Sequence, residues 1–319
     1  MNIVLLESLA IDEKILNKYK SALESQGHKF FAYERTDDIE KQKQYVKDAD
    51  ILIIANMPLC AEVIKSAKNL KFIDIAFTGV DHVDLEAAKA CQIAVSNASG
   101  YSNDAVAELT LGMILTLLRN VPQADKRTRE GGTKEGPGLN LMGNELRGKT
   151  VGIIGCGAIG STTARLCRAF GCKILAYNGF SNKQSTSEIT YMPLKDLLQT
   201  ADIVTLHCPV SEKSKNLINK ETLSYMKNTA ILINTARGAV VNSKDLADAL
   251  NKGQIRAAGI DVFETEPPLA PSHPLLNCKN ILLTPHVAFA TKESMEKRVE
   301  IVFHNIECFL NNNQINKII

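Results

Sequence analysis

Four apolar segments in the second half of the chain each end in a polar residue that could take part in chemistry. Arg237 follows "AILINTA", Asp261 follows "AAGI", His286 follows "ILLTP" and His207 follows "IVTL". Glu266 stands a few residues beyond Asp261. The carboxyl ends of parallel strands meet at one edge of a sheet, where ligands of open α/β folds bind. We therefore expect these side chains to gather at one site.

An arginine, a carboxylate and a histidine at such an edge suit one reaction. Arginine offers a planar fork that matches a carboxylate. Histidine transfers protons near neutral pH, and a neighbouring carboxylate orients the ring and favours its protonated form. We expect Arg237 to hold a 2-oxo acid while His286 protonates its carbonyl and a nicotinamide delivers hydride. Taken singly, Glu266 also fits a solvated loop acid, and His286 a structural histidine.

A glycine-rich turn precedes these segments. "VGIIGCGAIG", residues 151–160, is a short apolar run that leads into Gly155, Gly157 and Gly160 at Gly-x-Gly-x-x-Gly spacing, followed by a helical pattern. The first glycine permits the tight turn, the second lets a pyrophosphate approach and the third allows close helix packing. The helix N-terminus faces the phosphates. The pattern predicts a dinucleotide site, and a purely structural turn is the alternative.

The acid that holds the adenosine ribose of NAD is absent. It is expected about 20 residues after the glycines, and Asn178 stands there. Asn178 could hydrogen-bond the ribose itself, or its lack of charge could relax discrimination against NADP. NAD is the predicted cofactor, with NADP not excluded, and Lys183 is the nearby cation.

The elements that must position these residues alternate along the chain. Apolar runs that resemble strands are separated by helical patterns in residues 1–99 and again after 151, which predicts an α/β fold of two doubly wound parallel sheets. Between them, residues 103–130 read as one long helix, apolar nearly all round. A helix of this kind must be buried on several sides. We expect a homodimer built on it.

Composition excludes several classes of protein. The 319 residues suggest about two domains. Lys and Arg number 37 against 35 Asp and Glu, so no nucleic-acid partner is expected. The longest apolar run, 109–118, is far short of the ~20 residues that cross a bilayer, and no signal peptide is predicted. Eight cysteines without a Cys-x-x-Cys pair fit a reducing cytoplasm, and no metal site is expected.

Seven segments spread over the chain resemble one family, the D-isomer-specific 2-hydroxyacid dehydrogenases. They are "FTGVDHVDLEAA", "VSNASGYSNDAVAELTLGMIL", "LRGKTVGIIGCGAIG", "LHCPVSEKSKNLIN", "LINTARGAVV", "AAGIDVFETEPP" and "LLTPHVAFAT". The resemblance implies that Arg237, Glu266 and His286 are catalytic. The implied cofactor contacts are Gly155, Gly157, Ala158, Ile159, Gly160, Asn178, His207, Cys208, Pro209, Thr235, Ala236, Asp261, His286 and Ala288. The implied substrate contacts are Phe77, Thr78, Gly79, Val80, Arg237 and His286.

The resemblance also implies the order of the domains. A flavodoxin-like substrate domain would comprise residues 1–99 and 290–319, and a Rossmann NAD(P) domain, residues 100–289, would be inserted into it. This explains why the glycine-rich turn lies near the middle of the chain. Substrate would bind in the cleft between the domains, whose closure excludes water. The side chain of the substrate would contact Asn56, Met57, Pro58, Leu59 and Phe77.

Two other functions fit parts of the pattern. A cofactor-sensing binding protein on the same fold, similar to the corepressors related to this family, could retain the same three polar residues. A formate dehydrogenase of the family would pair its histidine with glutamine, so Glu266 argues against that activity. The predicted function is reduction of a small 2-oxo acid, such as glyoxylate, hydroxypyruvate or pyruvate, to the D-2-hydroxy acid.

Overall fold

The chain divides into two compact units. A computed structural model describes residues 1–136, 139–177, 179 and 183–319. Unit 1 consists of Met1–Ser102 and Ala290–Ile319, and unit 2 consists of Asn103–Phe289. Among the predicted cofactor residues, Asn178 lies outside the described residues.

Unit 1 is built on a five-stranded parallel sheet. Its first elements, in chain order, are β1 (Asn2–Leu5), α1 (Glu13–Ser25), β2 (Lys29–Ala32), α2 (Ile39–Val46), β3 (Ile51–Ile54), α3 (Ala61–Ser66), β4 (Phe72–Ile75), α4 (Leu85–Ala90) and β5 (Ala94–Asn97). The strand order is β2-β1-β3-β4-β5, and every paired strand is parallel. This is the flavodoxin-like order.

The sequence of unit 1 explains its elements. Strands β3 and β4 are buried along their whole length, as expected where helices cover both faces of a parallel sheet. Aspartates begin three of the helices: the side chains of Asp12, Asp38 and Asp84 accept hydrogen bonds from backbone N–H groups of the first turn. Gly27, with φ of 83°, follows the end of α1.

Unit 2 carries a seven-stranded parallel sheet. Its elements are α5 (Asn103–Leu118), α6 (Val121–Arg129), β6 (Glu135–Gly136), β7 (Leu139–Asn140), β8 (Thr150–Ile154), α7 (Ala158–Ala169), β9 (Lys173–Tyr177), β10 (Thr190–Met192), α8 (Leu194–Thr200), β11 (Ile203–Leu206), α9 (Lys220–Ser224), β12 (Ile231–Asn234), α10 (Ser243–Asn251), β13 (Ala257–Ile260) and β14 (Ile281–Leu283). The strand order is β10-β9-β8-β11-β12-β13-β14. The prediction of two doubly wound parallel sheets is confirmed.

The single long helix predicted over 103–130 is wrong. It consists of α5 and α6, bent by 60° at a short break. Asn120 adopts a left-handed φ of 52°, and Pro122 is the second residue of α6. Proline has no N–H to continue the hydrogen bonds of α5 and disfavours a helical residue before it. The two parts also differ in burial: eight residues of α5 are buried, and none of α6 is.

No single helix in the described part of the chain is long and apolar enough to cross a membrane, and the bent pair α5–α6 meets that test by length and composition alone.

The last helix returns to unit 1. Helix α11 (Lys292–Leu310) begins with a capping box between Thr291 and Ser294. Phe309 at its end stacks on Phe72 of β4, with ring centroids 4.3 Å apart. The final residues then run beside β5, where the N–H of Ile318 donates to the carbonyl of Val95 at 2.8 Å. The C-terminal segment is therefore an integral part of unit 1.

Candidate active site

The glycine-rich turn joins β8 to α7. Gly155 has φ of 97°, and a Cβ on it would lie 2.6 Å from the backbone of His207. A Cβ on Gly160 would collide with the carbonyl oxygen of Gly155. Both positions therefore require glycine, one for its backbone conformation and its neighbour, the other for close packing.

Gly157 is different, because it leaves space. No described atom outside its chain neighbours comes within 4 Å of a Cβ built on it. Gly157 is the N-cap of α7, and Gly157 and Ala158 are exposed. Open space in front of the N–H groups of a helix N-terminus fits the pyrophosphate of a dinucleotide. The residues present here therefore fit the predicted nicotinamide cofactor.

Lys183 contacts the same turn. Its Nζ donates to the carbonyl oxygen of Cys156 at 2.6 Å. The sequence did not indicate how far this cation lies from the turn, and the structure places it against the backbone between the first two glycines. Positive charge beside the turn suits an anionic ligand.

His207 follows β11 and is uncharged. Burial lowers the pKa of His207 to about 3. Its Nε2 lies 3.0 Å from Oγ1 of Thr205, while Nδ1 is buried without a hydrogen-bond partner among the described residues. Burial also raises the pKa of the Cys208 thiol to about 11, so this neighbour stays protonated. Pro209, next in the chain, is exposed. His207 therefore offers a neutral nitrogen and not a charge.

The turn after β12 is held by Asn234. Its Nδ2 donates to the carbonyl of Arg237 and its Oδ1 accepts from the N–H of Ala236, each at 3.0 Å. The guanidinium of Arg237 is half-buried, and one of its nitrogens donates to the carbonyl of Ala236 at 2.8 Å. Gly238 has no room for a Cβ against the backbone of Phe263. Arg237 therefore projects from a turn fixed on both sides.

His286 and Glu266 form a contact pair. Nδ1 of His286 lies 3.0 Å from Oε1 of Glu266, and the two side chains are 36% and 51% exposed. The edge of the His286 ring faces Phe289, with centroids 5.6 Å apart. A histidine that is partly exposed and paired through one ring nitrogen can use the other ring nitrogen for proton transfer.

Asp261 fixes the backbone that carries His286. Its fully buried carboxylate accepts from Oγ1 of Thr284 at 2.6 Å and from the N–H groups of Val287 at 2.9 Å and Ala288 at 3.0 Å. His286 has a left-handed φ of 55°, which is uncommon outside glycine. The carboxylate therefore holds a turn that the chain does not readily adopt by itself. The side chain of Ala288, a predicted cofactor contact, is buried in this turn.

The predicted substrate contacts of unit 1 lie in the loop after β4. Nδ2 of the buried Asn97 donates to the carbonyl of Thr78 at 2.7 Å. The guanidinium of Arg298, from α11, lies 4.7 Å from the centre of the Phe77 ring. Gly79 and Val80 are partly exposed. These contacts fix the loop within unit 1.

The predicted side-chain pocket needs a correction. Met57 and Leu59 are 0% and 1% exposed and pack in the core of unit 1, so their side chains are not available to a ligand. Residues after a buried strand alternate between core and surface. Asn56, which accepts from Arg35 at 2.8 Å, and Pro58 are exposed. They stay predicted contacts together with Phe77.

Comparison with known proteins shows which family this site belongs to. The model of the family described as "D-isomer specific 2-hydroxyacid dehydrogenase, NAD binding domain" matches residues 111–288. The chain belongs to the D-isomer-specific 2-hydroxyacid dehydrogenase family. It is an oxidoreductase of this family and has a domain of the kind that binds a nicotinamide cofactor.

Individual members of the 2-hydroxyacid dehydrogenase family resemble the chain over most of its length. It is 35% identical over 290 residues to a hydroxypyruvate reductase of Blautia hydrogenotrophica, covering 89% of this chain and 90% of that protein. It is 40% identical over 272 residues to a glyoxylate reductase of Thermofilum pendens, covering 84% and 80%. Among solved structures, an acyclic imino acid reductase in complex with NADPH and D-Arg matches with a TM-score of 0.90 and 28% identity over 100% of both chains.

The loop that carries Glu266 in this dehydrogenase has an anchor that sequence reasoning missed. Oγ of Ser243 donates to Oε2 of Glu264 at 2.7 Å, and Nε2 of His273 lies 3.6 Å from the same oxygen. The N–H of Ser243 donates to the other oxygen at 3.1 Å. Glu264 therefore binds its loop to the first turn of α10. Ser243 and Glu264 are 21 positions apart, and although Glu264 lies in the segment "AAGIDVFETEPP", Ser243 lies outside the quoted segments, so no sequence signal pointed to this contact.

Proposed function

We propose that the protein reduces a small 2-oxo acid to the corresponding D-2-hydroxy acid with NADH. The observation that supports this most is the contact of 3.0 Å between His286 and Glu266, on the sheet edge that also carries Arg237. The named relatives, a hydroxypyruvate reductase and a glyoxylate reductase, support a substrate of two or three carbons.

Arg237 is assigned to bind the substrate carboxylate. A guanidinium presents two parallel N–H groups to the two carboxylate oxygens, which fixes the plane of the acid and the position of its 2-carbonyl. The turn held by Asn234 gives this side chain a fixed origin. Loop residues Phe77, Thr78, Gly79 and Val80 are assigned to the rest of the substrate on the family resemblance.

His286 is assigned as the general acid. Glu266 accepts from Nδ1–H, so the proton on Nε2 is the one that can be transferred to the developing alkoxide. The carboxylate also stabilises the imidazolium before transfer. In the reverse reaction, the neutral ring accepts the proton of the 2-hydroxyl group. Asp261 keeps the ring in place through the turn that it holds.

The bound nicotinamide supplies the hydride. The chain's own contribution to its binding is the space at Gly157, the N-terminus of α7 and the strand-end residues Thr235, Ala236 and His207. We assign NADH as the main cofactor and NADPH as a second one, because Asn178 carries no charge to repel a 2′-phosphate.

The experiment that tests this function is a screen of purified protein for oxidation of NADH and of NADPH. The substrates are glyoxylate, hydroxypyruvate, pyruvate, 2-oxoisocaproate and phenylpyruvate, with formate and NAD⁺ in the reverse assay. We expect turnover with at least one of the first three acids, and a D product by chiral chromatography. Binding of NADH without turnover of any acid would favour the cofactor-sensing alternative, and oxidation of formate would favour a formate dehydrogenase.

A homodimer through α5 is part of the proposal. Leu109, Leu111 and Leu115 are only partly buried within unit 2, so α5 retains an apolar strip at its surface. A second copy of the chain would cover that strip.

A further inference from the structure

Two threonine hydroxyls meet at the strand edge of unit 2. Thr110 lies in α5 and is fully buried, and Thr235 directly follows β12 and is 7% exposed. Their Oγ1 atoms are 2.9 Å apart. Oγ1 of Thr110 is also 2.8 Å from the carbonyl oxygen of Val106, one helical turn earlier.

These two distances determine the direction of the hydrogen bond between the threonines. A hydroxyl group has one proton to donate and two lone pairs to accept with. The carbonyl of Val106 can only accept, so Thr110 donates its proton there. The hydroxyl of Thr235 therefore donates to Thr110. With its proton turned toward α5, Thr235 can offer a ligand only its lone pairs.

The strand order shows which part of a dinucleotide would lie near Thr235. The glycine-rich turn follows β8, and the position of the ribose-binding acid follows β9. A dinucleotide crosses the sheet edge with its pyrophosphate at the turn. If the adenosine lies toward β9, the nicotinamide lies on the other side of β8, toward β11 and β12. Thr235 and Arg237 both stand at that side.

We propose that Thr110 is a positioning residue that makes Thr235 an acceptor for the N–H₂ group of the nicotinamide carboxamide. This inference rests on the proposed function, because it requires a nicotinamide cofactor. Thr110 itself touches no ligand. It accepts a hydrogen bond from the hydroxyl of Thr235, so this proton points away from the ligand. Thr110 therefore determines whether Thr235 recognises a hydrogen-bond donor or an acceptor.

The test compares two ligands that differ only in this donor. NADH has a carboxamide, whereas the reduced 3-acetylpyridine analogue has the same carbonyl with a methyl group in place of N–H₂. Dissociation constants are measured by titration calorimetry, without turnover. We expect the wild-type protein to bind NADH about 5- to 10-fold more tightly than the analogue, the effect of one neutral hydrogen bond.

Three variants assign the preference to the threonine pair. Thr110→Val keeps the shape of the side chain and removes the acceptor, so the Thr235 proton turns toward the ligand. We expect the preference for NADH to fall below about 2-fold. Thr110→Ser keeps the hydroxyl and should retain the preference, whereas Thr235→Val removes the acceptor itself and should abolish it. Thermal unfolding of each variant verifies that it is folded.

The outcomes separate this inference from the proposed function. An unchanged preference in folded Thr110→Val, or no preference in the wild-type protein, would overturn the role of Thr110 and leave the proposed function intact. If the folded wild-type protein binds neither ligand, the proposed function fails, and the inference fails with it.

Discussion

Nδ1 of His286 lies 3.0 Å from Oε1 of Glu266, although the two residues belong to different loops. The loop of His286 is held by Asp261, and the loop of Glu266 is anchored through Glu264 to α10. Because each loop has its own anchor within unit 2, the packing of the chain holds the two side chains at contact distance.

Replacement of His286 tests the general acid. His286→Ala should lower kcat for reduction by about 10²–10⁴, the usual contribution of a positioned proton donor. NADH binding should largely survive. The exposed His304 on α11 provides a matched control, and His304→Ala should keep wild-type kinetics. Turnover of His286→Ala near the wild-type rate would refute the assignment.

Replacement of Arg237 by lysine tests bidentate recognition. Lysine keeps the charge and loses the planar fork. KM for the 2-oxo acid should rise by roughly 10- to 100-fold, because a hydrogen bond to a charged group contributes about 1.5–3 kcal/mol. The dissociation constant for NADH should change little. A surface substitution, Arg129→Lys, serves as the control. If Arg237→Lys has an unchanged KM, the substrate carboxylate binds elsewhere.

Asn178 tests cofactor choice. The prediction depends on the sequence, since this residue lies outside the described part of the chain. Aspartate at this position would accept from both ribose hydroxyls and repel a 2′-phosphate. Asn178→Asp should therefore lower kcat/KM for NADPH and leave that for NADH equal or higher. The measurement is kcat/KM for both cofactors in both proteins. Wild-type rejection of NADPH by more than about 10³ would contradict the prediction.

Asp74 gives a prediction about stability and pH. It is fully buried in β4, and Oδ1 accepts from Nδ2 of Asn305 at 2.9 Å. Oδ2 has no partner within the described residues. Burial raises the pKa of Asp74 well above its ordinary value, while the hydrogen bond from Asn305 lowers it in part.

The direction of the pH effect follows from this raised pKa. Below the pKa of the unfolded chain, ~3.9, both states are protonated. As pH rises above it, the unfolded state releases its proton first, and the free energy of unfolding falls by up to about 1.4 kcal/mol per pH unit until the folded state also ionises. Asp74→Asn should remove this decline. Urea unfolding between pH 4 and 8 measures it, with the exposed Asp37→Asn as control. Parallel curves for wild type and Asp74→Asn would contradict the prediction.

The surface of α5 gives a prediction about assembly. We expect the mass of a dimer by light scattering at micromolar concentration. Leu115→Glu places a charge in the apolar strip of α5 and should shift the mass to that of a monomer. Leu276 is also apolar and 42% exposed, but belongs to a different part of unit 2, so Leu276→Glu should leave the mass unchanged. A wild-type monomer would contradict the proposal.

The strands and helices of this fold could be predicted where a local sequence pattern determined them. Buried parallel strands are short apolar runs, so both sheets could be read from sequence. The break at Asn120 has a local signal as well, because Pro122 cannot continue α5 and fits the first turn of a new helix, but the apolar pattern that runs to Leu118 favoured one helix over it. Strand β10 has three residues, none of them fully buried, and is too short to be predicted from an apolar run.

In the candidate site, too, some features could be predicted from the sequence and others could not. Arg237 and His286 could be predicted because each follows a strand, and parallel strands bring their ends together. The contacts that fix them could not be predicted. Asn234 closes the turn that carries Arg237 through its own side chain, and Glu264, in the loop of Glu266, contacts a residue 21 positions earlier. Contacts of this kind depend on tertiary packing and leave no periodic signal.

The return of α11 to unit 1 has a consequence for the order in which the chain folds during synthesis. All of unit 2 leaves the ribosome before residues 290–319 do, so it can fold while unit 1 is incomplete. Until then, the buried carboxyl of Asp74 lacks Asn305, the face of Phe72 lacks Phe309, and β5 lacks the C-terminal residues that pair with it. A nascent chain would therefore expose the uncovered sheet of its first hundred residues until residues 290–319 have been synthesised, which makes this sheet a segment that a chaperone would have to protect.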